Sequence, residues 1–497
     1  MIISPRSQSA HRWHFRLGRS LALFVAALVL VLTTSQAIAA TPKPYDELEF
    51  PPLAEVQLPD YERYQLDNGL TVYLVEDREL PLVSGTALIR TGSRLEPVEQ
   101  VGLAALTGTV MRSGGTMQYP ADELNQLLES RAAWVETEID TTSGSASFEA
   151  LSEDLPLVLE LFAEVLRSPV FPADKLVLAK NQAQGGIERR NDEPDAIISR
   201  EFNKLIYGDR SPYARTIEYD TLANIERQDL IDFYQRSVRP ERTILGLSGD
   251  FDTAAIKPLL AEYFGDWQGA AVPELPEPPE VTAEPPGGVY FIERPQLTQS
   301  YIQLGHLGGQ LDNPDYPALS VLNGVLNGFG GRLFNDLRSR QGLAYVVYGV
   351  WSPRFDYPGM FVAGGQTRSD ATVPFVESIL GELERIRREP IAAEELDYAK
   401  DSILNSFVFN FQDPSQTLSR LMRYEYYGYP EDFIFTYQRG VKATTAADVL
   451  RVAETYLQPD RVTTLVVGSA EQIQPPLSQL AGEVQTVDIA IPGPPAG

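Results

Sequence analysis

The two halves of this 497-residue chain repeat each other, and that repetition limits the fold more than any other feature. Three landmarks recur in the same order, each about 220 residues further along. The pairs are 72–76 with 289–293, 173–180 with 394–400, and 239–242 with 458–461. Such agreement predicts an internal duplication, so that each half folds as one copy of the same unit.

Both halves show the same coarse pattern of elements. Alternating apolar residues predict strands at 71–75, 83–89 and 243–247 in the first half, and at 289–292, 300–304 and 462–467 in the second. Helical periodicity in the first half covers 98–111, 120–129, 155–166, 173–190 and 227–235. The mixture predicts an α+β fold of two homologous repeats, each a mainly antiparallel sheet with helices packed on one face.

The boundary between the repeats is a stretch rich in proline and glutamate. Residues 271–288 read AVPELPEPPEVTAEPPGG, a composition typical of an extended linker because it cannot build a packed helix or strand. We therefore expect an N-terminal domain at 60–270 and a C-terminal domain at 289–488.

The N-terminus has the pattern of a signal peptide at 1–39. Four arginines precede an apolar run at 21–32, and Ala37-Ile38-Ala39 supplies small residues for cleavage. The run is shorter than the roughly 20 residues that span a bilayer. We expect export to a periplasm or another extracytoplasmic compartment, with an uncleaved N-terminal membrane anchor as the alternative.

The chain is strongly acidic, with a net charge of −27. The leader holds four basic residues and no acidic one, so its removal would take the charge to about −31. A nucleic-acid partner is excluded, because binding phosphates requires a basic surface. The acidic surface either attracts basic peptides or serves solubility alone.

Histidine and cysteine are scarce. The chain has no cysteine and three histidines, two of which (His11 and His14) lie in the leader. The third, His306, follows an apolar strand and precedes two glycines, a position typical of a structural hydrogen-bonding residue or a solvent-facing tip. A catalytic role for His306 would need an orienting partner, which the sequence does not show. Catalytic zinc sites almost always use at least one imidazole, and the mature chain has His306 as its single histidine, so no motif that needs two histidines can be present.

The stretch 92–116 carries a family resemblance. It contains GLAALTGT at 102–109, and it resembles the pitrilysin/insulinase (inverzincin) metallopeptidases, in particular their mitochondrial-processing-peptidase-like branch. In that family the helix carries H-x-x-E-H, in which two imidazoles hold zinc and the glutamate is the general base. The matching positions here are Ala105, Gly108 and Thr109, and the later glutamate ligand of the family matches Gly186. The resemblance thus implies a degenerate metal site and no cofactor in this chain.

A second stretch, 328–348, extends the resemblance to the other half. Gly328, Gly330 and Gly331 lead into a predicted helix, and a β-rich run follows. The family carries an Arg/Tyr pair spaced as Arg338 and Tyr345 are. The resemblance implies that this pair holds a substrate carbonyl and stabilises the oxyanion that develops on it, while the glycines help to bind extended peptide.

Ordinary structural roles for the two residues stay open. Taken alone, Arg338 could form a surface ion pair with Asp336 or another neighbour. Taken alone, Tyr345 could be a half-buried aromatic residue of a strand.

The resemblance implies a function without catalysis by this chain alone. Some family members are heterodimers in which one subunit supplies zinc and the other the Arg/Tyr pair. We expect a non-catalytic, zinc-free subunit of such a metalloendopeptidase, which binds peptide beside a homologous zinc-bearing partner. Two alternatives stay open: a structural or assembly subunit, and a peptide-binding protein with no hydrolytic role.

Overall fold

Two six-stranded sheets, one from each half of the chain, carry the fold of the described residues. The computed structural model describes residues 58–269, 276–328 and 330–494, so the predicted signal peptide lies outside the described residues. Strands from corresponding parts of the two halves occupy matching places in the two sheets, as a duplication requires.

The strands of the first sheet are β1 (Glu62–Gln65), β2 (Thr71–Glu76), β3 (Leu82–Ile89), β4 (Trp134–Ile139), β5 (Gly144–Leu151) and β6 (Thr243–Gly249). Those of the second are β7 (Gly288–Glu293), β8 (Gln299–Leu307), β9 (Ala344–Ser352), β10 (Met360–Arg368), β11 (Thr463–Gly468) and β12 (Val484–Thr486). The first sheet has the strand order β1-β2-β6-β3-β5-β4, and the second has the matching order β12-β7-β11-β8-β10-β9. Neighbours pair antiparallel except β2 with β6, β7 with β11, and β7 with β12. The sheets are therefore mainly antiparallel, and all six predicted strands are confirmed.

The helices of the first half are α1 (Leu103–Ser113), α2 (Ala121–Glu129), α3 (Leu155–Arg167), α4 (Ala173–Arg189), α5 (Pro194–Tyr207), α6 (Tyr219–Ala223), α7 (Arg227–Ser237) and α8 (Thr253–Phe264). Those of the second are α9 (Tyr316–Leu326), α10 (Thr372–Arg388), α11 (Ala393–Ser406), α12 (Pro414–Tyr427), α13 (Phe433–Ala443) and α14 (Ala446–Tyr456). The helix predicted at 98–111 begins only at Leu103, because Gly102 has a positive φ of 109° and breaks the preceding turn.

Each sheet buries one face against helices of its own half. On β3 every second residue is buried, and Val83, Ala87 and Ile89 join the core of the first half. Helices α1, α3 and α8 supply apolar residues to the same cluster, among them Leu106 and Phe162. This arrangement confirms the predicted α+β repeats.

The opposite face of each sheet receives a helix from the other half. From α5, Ile198 and Phe202 pack against Tyr290 and Leu465 of the second sheet. From α12, Leu418 and Met422 lie in one cluster with strand residues of the first sheet. Pro194 and Pro414 begin these helices 220 residues apart, so α5 and α12 are equivalent elements of the duplication. Because α12 covers the second face of the first sheet, β2 is buried on both faces. Sequence periodicity marks β2 as a buried strand but does not show that its second face is covered by the other half of the chain.

The described part of the predicted linker is packed against the folded chain. The Tyr213 hydroxyl donates a hydrogen bond of 2.6 Å to the carbonyl of Pro279, and Val281 contacts the cluster formed around α5. The linker ends one residue earlier than expected, because Gly288 already belongs to β7. From Leu58 onward the chain forms one compact unit, and the domain boundaries at 60–270 and 289–488 stay predictions.

None of the helices in the described ranges is long and apolar enough to cross a bilayer.

Candidate functional site

The helix that carries Arg338 is a π-helix, Phe334–Arg340. Its wider turn is visible at its end, where the amide of Gln341 donates to the carbonyl of Asp336 at 2.9 Å, five residues back. The sequence predicted a helix here but not its type. Single-turn π segments are rare in proteins and occur frequently at functional sites.

Arg338 is held by aromatic rings. The carbon atom of its guanidinium lies 4.7 Å from the ring centroid of Phe334 and 4.8 Å from that of Tyr345. Asp336, which the sequence offered as an ion-pair partner, instead binds Arg340 at 2.6 Å. The two residues that the resemblance singled out are thus neighbours, and the guanidinium is oriented by rings that leave its N–H groups available as donors.

Tyr345 lies on the edge strand β9 and is 76 % exposed, so it is not the half-buried aromatic of the alternative interpretation. The register between β9 and β10 shifts at this point: Val346 faces Gln366 and Ala344 faces Thr367, which leaves Tyr345 without an opposite residue. Such bulges re-aim a side chain. A bulge and a π-helix together therefore place Tyr345 beside Arg338.

The outer edge of β9 is only partly covered. Side chains of α9 and the residue after it occupy one end of the edge: Asn323 exchanges hydrogen bonds with the backbone of Trp351 (2.7 and 2.9 Å), and Asn327 with that of Gly349 (2.6 and 3.0 Å). By alternation the backbone of Val347 points the same way. Among the described residues β9 pairs with β10 alone, so the edge next to Tyr345 is open.

The three glycines predicted to bind substrate have different environments. Gly328 has a positive φ of 78°, and a Cβ at this position would have open space around it, so its backbone conformation explains the glycine. A Cβ on Gly330 would lie 2.5 Å from the ring of Tyr398, and one on Gly331 would lie 2.1 Å from the carbonyl oxygen of Asn327. Close packing thus accounts for glycine at 330 and 331, and a substrate-binding role for the three stays a prediction.

Arg332 anchors the segment between these glycines and the π-helix. Its guanidinium makes two hydrogen bonds to Glu395 of α11, at 2.6 and 2.9 Å, and a third to the buried Glu382 of α10 at 3.1 Å. Burial raises the pKa of Glu382, whereas hydrogen bonding to Arg332 lowers that of Glu395. Sequence patterns did not predict a role for Arg332, and the one local signal is its position directly after Gly330 and Gly331.

The positions that match the family's zinc ligands do not fit a metal. Ala105 and Thr109 are exposed on α1, and Gly186 is exposed on α4. Gly108 is packed against β4: a Cβ there would lie 2.7 Å from the backbone nitrogen of Ile139, and the Thr137 hydroxyl donates to the Gly108 carbonyl at 2.6 Å. In the described ranges no three His, Cys, Asp or Glu residues lie together in a way that could hold a metal ion. The resident side chains supply neither ligands nor a general base.

His306 lies away from solvent and makes two backbone contacts. Its Nδ1 is 2.8 Å from the carbonyl oxygen of Leu307, and its Nε2 accepts from the amide of Gln458 at 3.2 Å. Both ring nitrogens are therefore used in structural hydrogen bonds.

Sequence models of one peptidase family match residues in both halves of the chain. The sequence model of the family described as Insulinase (Peptidase family M16) matches residues 72–219, and the model described as Peptidase M16 inactive domain matches residues 224–403. Between them they cover the region of the degenerate zinc positions and that of the Arg/Tyr pair.

Relatives of similar length align with most of the chain. The uncharacterized zinc protease YmxG of Bacillus subtilis is 25 % identical over 362 residues, which is 72 % of this chain and 86 % of the relative. A Helicobacter pylori relative, named non-peptidase homolog YmxG, is 23 % identical over 403 residues, or 80 % of this chain and 91 % of the relative.

Solved structures show the same architecture. A peptidase M16 inactive domain from Pseudomonas fluorescens superposes with a TM-score of 0.74 at 26 % identity, covering 82 % of this chain and 98 % of that one. A Helicobacter pylori protease, at 20 % identity and a TM-score of 0.72, shares the fold over 82 % of this chain. The predicted family is confirmed: this chain belongs to the insulinase family of peptidases, family M16.

Proposed function

We propose that this protein is a metal-free subunit of a two-chain metalloendopeptidase, exported together with a homologous zinc-bearing partner. It binds an extended peptide and supplies Arg338 and Tyr345 to the zinc site of that partner. The observation that carries this proposal is the stacked, solvent-accessible Arg338–Tyr345 pair, built by a π-helix on one side and a β-bulge on the other.

The chemistry of the pair suits a carbonyl that becomes an oxyanion. Arg338 offers a planar set of N–H donors, and Tyr345 offers an O–H donor. The stacking against Phe334 fixes the guanidinium before substrate arrives, so little reorganisation is needed when negative charge develops. The partner supplies the metal-activated water, because the residues at 105, 108, 109 and 186 of this chain cannot.

The open edge of β9 suits an extended peptide. A peptide strand that pairs with the backbone at Val347 would pass directly beside Tyr345, which brings its carbonyls to the donor pair. The net charge of −27 favours the approach of basic peptides through long-range attraction.

A second candidate function omits hydrolysis altogether. In this candidate the chain is a structural or assembly subunit, or a peptide-binding protein, and the name of the Helicobacter pylori relative, non-peptidase homolog, describes a protein that is likewise no peptidase. If this chain has such a non-hydrolytic role, Arg338 and Tyr345 are surface residues, and their substitution does not change the rate of peptide hydrolysis.

The test is peptide hydrolysis by the reconstituted pair of subunits. Tyr345→Phe and Arg338→Ala should each lower kcat by at least about tenfold, since loss of one oxyanion donor costs about 10²–10³ in other enzymes. Arg338→Lys should restore only part of the rate, because a point charge does not reproduce the planar guanidinium. Assembly, measured by size-exclusion chromatography, should be unchanged.

The matched control is Arg340→Ala, which removes a neighbouring arginine that is bound to Asp336 rather than to Tyr345. It should leave kcat close to that of the wild type. If the Arg338 and Tyr345 variants assemble and cleave at the wild-type rate, the donor role is wrong. Isolation of the native protein without any zinc-bearing relative would favour the second candidate.

A further inference from the structure

A groove runs along one side of α12, over the part of the first sheet that α12 leaves uncovered. Three adjoining cavities of about 380, 170 and 210 Å³ form it. Ser84 lines the first and second cavities, and Ser147 lines the second and third, so the three are continuous. From Asp413 to Arg423 the groove follows about 15 Å of helix, the length of about four or five residues of extended chain.

The charged side chains that line the groove are carboxylates, apart from Arg423 at its far end. The carboxylates are Asp77, Glu79, Glu149 and Asp413 in the first cavity, and Glu138 and Asp140 in the third. None of these six forms an ion pair with another residue in the described ranges. Of the arginines nearby, Arg78 is paired with Glu76 and Asp250, and Arg420 does not line the groove. Six carboxylates this close repel one another, and a bound cation would relieve that repulsion.

The floor and rim of the groove combine hydroxyl groups with exposed apolar side chains. Ser84 of β3 and Ser147 of β5 belong to the floor. Leu80, which is 62 % exposed, and Trp134, which is 41 % exposed, lie at the rim. Such apolar surface beside carboxylates suits lysine and arginine, whose methylene stems pack on it while the charged end reaches an acid. The ring of Trp134 can also stack on a guanidinium.

The backbone below the groove is not available to a ligand. Strand β3 pairs with β6 and β5, and β5 pairs with β3 and β4, so both strands use their backbone groups within the sheet. A ligand here is recognised by side chains, unlike a peptide strand that adds to the open edge of β9.

We propose that this groove binds a basic segment of the peptide substrate, outside the Arg338–Tyr345 pair. Basic side chains pair with the carboxylates at the two ends, and their stems pack on Leu80 and Trp134. Charge selects this occupant, because an acidic or neutral segment would leave the carboxylates without partners. The inference rests on the proposed function for the use of the groove, and it names basic peptides as the substrate class.

The test is peptide binding by the purified full chain, followed by tryptophan fluorescence. Trp134 is exposed, whereas Trp267 and Trp351 are buried, so Trp134 reports on the groove. The probe is a blocked peptide of leucine and serine with two arginines about four positions apart, and the same peptide with glutamine for arginine is its matched control. The arginine peptide should change the emission, and the glutamine peptide should bind at least about tenfold more weakly. Trp134→Phe should remove the emission change while calorimetry still detects binding.

Variants locate the site. Glu79→Gln combined with Glu149→Gln removes two exposed carboxylates of the groove and should weaken binding about three- to tenfold. Glu454→Gln combined with Glu471→Gln removes the same charge from exposed positions outside the groove, so long-range attraction falls equally and binding should change less than about twofold. An equal loss in the two double variants, or equally tight binding of the glutamine peptide, would overturn the proposal. So would tighter binding of spermine, which carries charge without apolar side chains.

The result is separate from that of the hydrolysis test, because the binding assay needs neither the partner subunit nor the donor pair. Peptide binding together with wild-type hydrolysis by the Arg338 and Tyr345 variants would keep the groove and reject the donor role. Slower hydrolysis by those variants without peptide binding in the groove would reject the groove alone.

Discussion

His306 joins the end of β8 to the segment that precedes β11. Nε2 accepts a hydrogen bond from the Gln458 amide, so Nδ1 must carry the proton and donate to the Leu307 carbonyl, and the ring is neutral. Burial, assisted by the nearby Arg461, lowers the pKa of His306 below its usual value. The ring also stacks on Phe361 at 5.5 Å between centroids. These contacts support the structural role for this histidine.

The lowered pKa predicts that His306 makes the protein less stable as the pH falls. Below about pH 6.5 the unfolded chain takes up a proton on this residue while the folded chain does not, so the free energy of unfolding decreases. His306→Gln should remove this part of the pH dependence, which is at most about 1.4 kcal/mol per pH unit. The measurement is Tm of both proteins at pH 7.5 and 5.5. Carboxylates titrate in both proteins, so parallel changes in Tm would show that His306 contributes nothing.

Sequence patterns predicted the elements of this fold better than their irregularities. Alternation located β3 and β8 because one face of each is buried against helices of its own repeat. The same rule missed β4 and β5, whose small and charged residues look polar although Val135 and Phe148 are fully buried. Helix α5 was missed for another reason: its apolar residues pack on the sheet of the other repeat, and no local pattern reports such an exchange.

The sequence predicted which residues form the candidate site but not the backbone geometry that brings them together. The spacing of Arg338 and Tyr345 indicated the pair, but the π-helix and the bulge that bring them together depend on tertiary contacts. One such contact is the bond network of Arg332, which ties the glycine segment to α10 and α11. The partners of this arginine lie 50 and 63 residues away, beyond the reach of local sequence patterns.

The Arg332 network predicts a large loss of stability when it is broken. Arg332→Ala leaves the buried Glu382 with Arg385 alone, at 3.2 Å, and should cost about 3–5 kcal/mol of unfolding free energy. Arg332→Ala combined with Glu382→Leu should recover part of that loss, because no unpaired carboxylate stays buried. Urea unfolding is the measurement. The control, Arg388→Ala, removes an exposed arginine from Glu384, which keeps Arg387 as a partner, and should change stability by less than about 1 kcal/mol. A comparable effect in the two single variants would contradict the importance of the Arg332 network.

The two repeats are joined by extensive packing as well as by the connecting segment. Helices α5 and α12 each cover the sheet of the other repeat, and Arg94 with Asp356 adds an ion pair across the same boundary. The packing is close: a Cβ on Gly246 of β6 would lie 2.3 Å from the sulfur of Met422 on α12. Duplication predicted two copies of one unit, but it did not predict that each copy completes the other.

The molecule as a whole should bind no stoichiometric zinc and cleave no peptide when purified alone. It has one histidine outside the leader, and His306 uses both ring nitrogens in backbone contacts. Metal analysis after dialysis against zinc and a peptide-hydrolysis assay with and without chelator are the measurements. About one tightly held zinc per chain, or chelator-sensitive hydrolysis, would show that the metal-free assignment is mistaken.

Restoring the family's residues distinguishes two causes of inactivity: the absence of metal ligands, and the close packing of α1 on β4 that leaves no room for a glutamate at 108. Ala105→His, Thr109→His and Gly186→Glu replace exposed residues, and this triple variant should fold like the wild type and bind zinc weakly, without supporting hydrogen bonds around the ligands. Adding Gly108→Glu forces a Cβ to within 2.7 Å of the Ile139 nitrogen, so α1 and β4 must separate at a cost of about 1–3 kcal/mol. We therefore expect a lower Tm for the quadruple variant than for the triple. If the quadruple variant is equally stable and hydrolyses peptide, the contact between α1 and β4 is not a barrier to catalysis, and loss of the ligands alone accounts for the inactive site.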